Sequence, residues 1–308
     1  MLIKCYGAAP QGIDAVIVTI EVHAVPGFEF TLVGLPDSAV KESHERIVAA
    51  LIVNGYNKPR HTLTINMAPA DIKKEGAAYD LPLAIGMLAA EEEVKTALLE
   101  RYMIMGELSL DGTLQAIQGV LPMALAARAA GFKGLILPEQ NAREAAVVDG
   151  LEVYGLHNLI EVVRFLNETQ TFSTTIVDTA AEFATHAFTS ELDFSDVRGQ
   201  ENVRRAMEVA AAGGHNMLMV GPPGAGKSMM AKRLSSILPP LNLEEALETT
   251  KIYSVAGMMA RRKEGNGMSS ALIVQRPFRS PHHTVTDVAL VGGGTNPHPG
   301  EISLAHNG

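Results

Sequence analysis

Eight residues constrain this chain more than any others: Gly221, Pro222, Pro223, Gly224, Ala225, Gly226, Lys227 and Ser228. They read G-x-x-x-x-G-K-S, in which the glycines let backbone N–H groups turn inward around phosphate oxygens. The motif requires a strand before it and a helix after it. Residues 215–220 (HNMLMV) are an apolar run of strand length, and residues 229–238 are helix-like up to Pro239 and Pro240. The reading is a nucleoside-triphosphate cradle with ATP and Mg²⁺ as cofactors. The helix that starts near Lys227 turns its positive end to the phosphates. The Lys227 ammonium reaches the β- and γ-phosphates, and the Ser228 hydroxyl ligates Mg²⁺.

A chain of 308 residues has room for about two domains. With 47% hydrophobic and 19% charged residues it is globular in composition. A formal net charge of −9 argues against an all-over basic coat for nucleic acid but leaves room for a local basic patch. The single cysteine, Cys5, excludes a disulfide framework or a cysteine-based zinc site within the chain. The first residues lack the long apolar stretch of a signal peptide. No uninterrupted apolar run reaches about 18 residues, so no membrane partner is expected. The expected compartment is the cytoplasm.

Residues 1–168 read as a mixed α/β domain. Alternation over residues 15–23 and again over 28–34, with Pro26-Gly27 between them, predicts a β-hairpin. Asp37 or Ser38 caps a helix through Ile47, Val48 and Leu51 that ends at Asn54-Gly55. Residues 62–67 form a strand and residues 81–90 a helix. A hairpin follows around Asp111-Gly112, then an alanine-rich helix from Val120 closed by Gly131, a buried strand over 134–138 and a last helix over 159–166. Residues 106–112 with Gly119, residues 130–133 and 137–141, and residues 73–82 resemble the proteolytic domain of Lon proteases, which implies a ribosomal-S5-like fold. Carried across, the Lon nucleophilic serine falls on Ala78 and its lysine on Leu121, so neither a nucleophile nor a base is present. Lys73, Lys74 and Glu75 are read as a solvated turn.

Residues 169–192, polar and threonine-rich at their start, read as a linker. The segment from Asp193 to Gln200 resembles the opening of an AAA+ module, which implies that Val197 and Gln200 lie near the adenine. Residues 201–212 form a helix ending at Gly213-Gly214, and residues 243–253 form another. Between Lys251 and His283 the chain turns basic, with six Lys or Arg against Glu264 alone. Within it, Arg276, Phe278, Arg279, His282 and His283 stand in a proline-stiffened loop with the chemistry to meet phosphates and stack on bases. The alternatives are a solvated loop or contacts within the protein. A metal at His282 and His283 is disfavoured, because neighbouring strand residues point to opposite faces.

Together with residues 290–294 and 299–308, these motifs resemble the magnesium-chelatase-like AAA+ family known as ComM/YifB over nearly the whole chain. The resemblance implies a ring ATPase, hexameric when full length, that acts on DNA by branch migration during recombination of incoming DNA. Residues 193–308 are then the first part of a P-loop AAA+ domain. The family's Walker B carboxylates, sensor and arginine finger would follow Gly308, so no catalytic residue is expected within the chain. Two consequences are expected: an open apolar edge at residues 217–220, and a domain over 1–168 that folds alone while 196–308 alone does not. The competing readings are an ATP-dependent protease or chaperone related to Lon, and a non-catalytic interaction module.

Overall fold

The computed structural model describes residues 1–186, 192–259, 271–294 and 297–308. The chain divides into two compact units, Met1–Val177 with Tyr253–Ala271, and Asp178–Ile252 with Leu272–Gly308.

The first unit begins with strands β1 (Leu2–Gln11), β2 (Asp14–Pro26) and β3 (Phe30–Val33). Helix α1 (Ser38–Val53) and strand β4 (His61–Ala68) follow. The four strands form one sheet in the order β1-β2-β4-β3. β1 and β2 are the true hairpin, joined through Gly12 at φ +64. The hairpin expected around Pro26-Gly27 does not form, because β4 lies between β2 and β3 and pairs antiparallel with β2 and parallel with β3. Alternation gave the strands correctly. Their pairing depends on contacts about forty residues away, which a local pattern does not carry. Val18, Ile20 and Val22 of β2 and Leu63, Ile65 and Met67 of β4 are almost completely buried on one face. Each contributes about 1.5–3 kcal/mol by leaving water.

α2 (Asp80–Ala90) packs on β1 and β2, and α1 packs on α2. Asp37 caps α1 by accepting the Val40 N–H at 2.7 Å. Every residue of α2 is buried. Gly86 lets α2 approach β2 closely, since a Cβ there would lie 2.7 Å from Val22. The helices are tied by Arg46, whose Nε and Nη2 donate to the Asp80 carboxylate at 2.8 and 2.9 Å. Burial pushes the Asp80 carboxyl up, and Arg46 opposes that push.

The rest of this unit runs β5 (Tyr102–Ile104), β6 (Glu107–Leu108), β7 (Leu114–Gln115), α3 (Val120–Ala129), β8 (Gly134–Pro138), α4 (Glu139–Ala145), β9 (Glu152–Leu156) and α5 (Leu159–Leu166). β5, β8 and β9 form a parallel sheet with β8 central and buried throughout. An unbroken apolar run suits a parallel strand covered on both sides. After α5 the chain stays with this unit. Phe172 packs 6.3 Å from Phe165, and the Thr175 N–H donates to Val153 O at 2.8 Å, along the β9 edge.

The second unit contains α6 (Thr179–His186), α7 (Glu201–Gly213), α8 (Lys227–Arg233) and α9 (Leu243–Val255), the last three residues of which cluster with the first unit. α10 (Asp287–Val291), the two-residue strands β10 (Gly292–Gly293) and β11 (His298–Pro299), and α11 (Glu301–Leu304) complete it. Phe194, Val197, Met207 and Met230 form a small core here. The strand expected over residues 215–220 is absent: none of these residues is in a strand, and Leu218 and Val220 are 86% and 88% exposed. A lone extended segment is not a strand without a neighbour to receive its N–H and C=O groups, and no described residue pairs with it. No helix among the described residues is long and apolar enough to cross a membrane.

Candidate nucleotide-binding site

The glycine-rich loop opens into α8 as the motif requires. Gly224 and Gly226 both take φ +81. The space around them is open, with nothing within 4 Å of a Cβ at Gly224. Glycine is therefore needed for backbone conformation, not for room. Gly226 is the residue before the first turn of α8, which leaves the first N–H groups of the helix facing the loop. The Lys227 ammonium folds back and donates to Gly221 O at 2.7 Å and Pro222 O at 2.8 Å. A phosphate arriving here replaces those two carbonyls with a stronger, charged acceptor. Ser228 is exposed at the second position of the helix, and residues 221–224 are exposed as well. Backbone donors, one ammonium and one hydroxyl on an exposed loop fit a magnesium nucleotide.

Behind the loop, Met230 of α8 packs with Phe194, Val197 and Met207. Arg233 fixes the preceding segment by donating to Asp196 Oδ2 from Nε at 3.1 Å and Nη2 at 3.0 Å. Val197 is 2% exposed and serves this core, whereas Gln200 is exposed at φ +55.

The proline-stiffened loop holds its charges inward. Arg276 donates to Pro239 O at 2.5 Å, to Asn307 O at 2.7 Å and to Glu245 Oε2 at 3.4 Å. Arg279 makes a two-point ion pair with Glu301, Nε to Oε2 at 2.6 Å and Nη2 to Oε1 at 2.5 Å. That guanidinium holds the Glu301 carboxyl below its usual range. Phe278 is 41% exposed. The exposed His282 and His283 rings lie 4.1 Å apart, tilted by 39°, and His282 Nδ1 accepts the Thr284 N–H at 3.3 Å. Arg261, Arg262 and Lys263 of the basic stretch lie outside the described residues. No cluster of three or more His, Cys, Asp or Glu among the described residues is placed to hold a metal. The sequence reading missed Glu245 and Glu301 as partners of the two arginines, since both lie 22 or more residues away and no local spacing announces them.

Two family models match the chain: "Magnesium chelatase, subunit ChlI" over residues 193–308 and "Subunit ChlI of Mg-chelatase" over residues 20–141. Competence protein ComM of Haemophilus influenzae is 43% identical over 307 residues, 98% of this chain and 58% of that protein. The YifB protein of Salmonella typhimurium is 43% identical over 301 residues, 97% of this chain and 57% of that protein. The chain belongs to the ComM/YifB family of magnesium-chelatase-like proteins. It spans a little under three fifths of the length of these relatives. Lon protease 2 of Bacillus subtilis is 28% identical over 128 residues, 41% of this chain and 22% of that protein. Within the first unit, Ala78 lies in the short turn that leads into α2, with its carbonyl accepting the Gly106 N–H at 2.9 Å. Leu121 is fully buried in the first turn of α3. Lys74 corrects the solvated-turn reading: it is fully buried, its ammonium donates to Pro69 O, and burial lowers its pKa. A four-carbon stem buries as readily as an aliphatic residue when a carbonyl receives its head.

Proposed function

We propose that this chain is the nucleotide-binding part of a ring-forming, cytoplasmic AAA+ motor that acts on DNA. Its domains are a Lon-like, ribosomal-S5-like domain over 1–168, a linker over 169–192 whose first residues, up to Val177, pack with that domain, and the first part of a P-loop AAA+ module over 193–308. The carrying observation is the loop at 221–228, with two left-handed glycines and a lysine at the start of a helix. Its backbone N–H groups and Lys227 hold the phosphates of ATP, and Ser228 holds the Mg²⁺ ion. Gln200 flanks the base from the segment before α7, which the buried Val197 anchors. Mg²⁺ bound there would neutralise phosphate charge. Lys227 orients the terminal phosphates, and the loop's backbone fixes their register.

The DNA partner is inferred from the family and from the relative named a competence protein. Phe278, His282 and His283 are the exposed groups suited to stack on bases, and Arg276 and Arg279 set the loop that carries them. The full-length protein forms the hexameric ring and carries out branch migration. A second reading is favoured by the likeness to Lon protease 2. In it the first unit is an interaction module without peptidase chemistry, because Ala78 and Leu121 supply neither nucleophile nor base.

Fluorescence anisotropy with a labelled branched DNA and ATP–Mg²⁺ tests the proposal. Binding is expected that weakens with salt and falls about five- to hundredfold when Phe278, His282 and His283 are all changed to Ala, the loss of about one stacked base. No binding even at low salt would contradict a DNA role for this chain.

A further inference from the structure

In the first unit, a carboxylate and a hydroxyl 110 residues apart in sequence meet at the start of α3. Ser254 Oγ donates to Glu144 Oε1 at 2.5 Å. The same carboxylate oxygen accepts the Leu121 N–H at 3.1 Å, and that N–H also reaches Ser254 Oγ at 3.3 Å. The Ser254 carbonyl accepts the Gly119 N–H at 3.0 Å. Ser254 and Glu144 are 1% and 7% exposed. Gly119, the residue before α3, has no side chain to cap the helix, so Glu144 and Ser254 satisfy N–H groups that would otherwise be buried without partners.

The segment around Ser254 is shaped to this seat. At Gly257, with φ +67, the chain hooks back, its N–H donating to Ser254 O at 3.0 Å, and the Met258 N–H donates to Tyr253 O at 2.9 Å. A Cβ on Gly257 would stand 2.6 Å from the Gln118 side chain, so the segment lies flush against the residues before α3. Tyr253, Val255 and Met259 are buried, yet none joins the continuous apolar core that contains Val120 and Leu121. Polar bonds tie the segment to the residues at the start of α3. Burial raises the Glu144 carboxyl above its usual range, and Ser254, the Leu121 N–H and Asn141 oppose that push.

We propose that residues 253–259 are a releasable strap on the first unit and that the Ser254–Glu144 hydrogen bond is its clasp. Opening the clasp lifts the strap from residues 118–121 and wets a carboxylate and two backbone N–H groups, while the sheet β1-β2-β4-β3 and its covering helices stay folded. The strap is thus a local opening unit set beside the position where the Lon-like pattern has lost its lysine.

Hydrogen–deuterium exchange on the whole 308-residue chain tests this, with Ser254→Ala and Glu144→Gln beside the wild type. Ser254→Ala removes the donor with little change in volume. It is expected to speed exchange of residues 253–259 by about tenfold or more, the loss of one hydrogen bond to a charged group, with β2 and α2 unchanged. Glu144→Gln keeps an acceptor oxygen for Ser254 and Leu121 and is expected to change the strap less. Unchanged exchange over 253–259 in Ser254→Ala would overturn the proposal. So would equal acceleration over β2 and α2, which would make the segment part of the core and not a strap.

Discussion

At the scale of single residues, the basic loop shows how partners redefine a charge. Arg276 and Arg279 read in the sequence as phosphate contacts, yet both are held by carboxylates and carbonyls of the same chain. Neither Glu245 nor Glu301 is legible as a partner, because the pairing is made by the fold and not by spacing. The Arg279–Glu301 pair has two parallel bonds and is only partly exposed, the geometry in which an ion pair contributes most. Replacing Glu301 by Gln is expected to cost about 1.5–3 kcal/mol of stability in chemical denaturation. Glu301 has a lowered pKa when folded, so its contribution is present above the unfolded carboxylate pKa and fades as pH falls through the folded one. The variant should lose that acid-side dependence. The same change releases Arg279 from its carboxylate. If the loop meets DNA, the slope of log affinity against log salt should steepen by about one unit, and an unaltered slope would place Arg279 away from phosphate.

At the scale of elements, the longer helices were legible, while short ones such as α4 and α11 and the strand partners were not. Asp37 marks the start of α1, and apolar spacing marks α2 and α3, because a helix bonds within its own segment. β1 carries no such signal. Its partner β2 is adjacent, but its small residues Gly7, Ala8 and Ala9 carry little strand signal. Residues 215–220 show the converse, a convincing local pattern with no partner among the described residues. Leu218 and Val220 stand exposed there beside unpaired backbone, a template for association. Changing both to Ser should lower light scattering of the concentrated 308-residue chain severalfold at unchanged unfolding midpoint. Scattering that stays the same would show that this segment is not the sticky surface.

At the scale of the whole molecule, the α/β character and the glycine-rich loop that opens into α8 could be read from the sequence, because each rests on contiguous residues. The make-up of the compact units could not, since the first unit takes in Tyr253–Ala271 from far along the chain. A local reading had residues 1–168 folding alone, and the Ser254–Glu144 contact shows what such a piece would lack. Met230, behind the loop, packs in a small cluster with Phe194, Val197 and Met207, whereas the first unit has a continuous and extensive core. The central claim is that a loop mounted on that small cluster still binds nucleotide. Isothermal titration of ATP–Mg²⁺ into the 308-residue chain, with Lys227→Ala beside it, measures that directly. The account predicts binding that Lys227→Ala weakens about tenfold to a hundredfold, through loss of a charge-assisted contact of about 1.5–3 kcal/mol. Binding of equal strength in both proteins, or in neither, would contradict it.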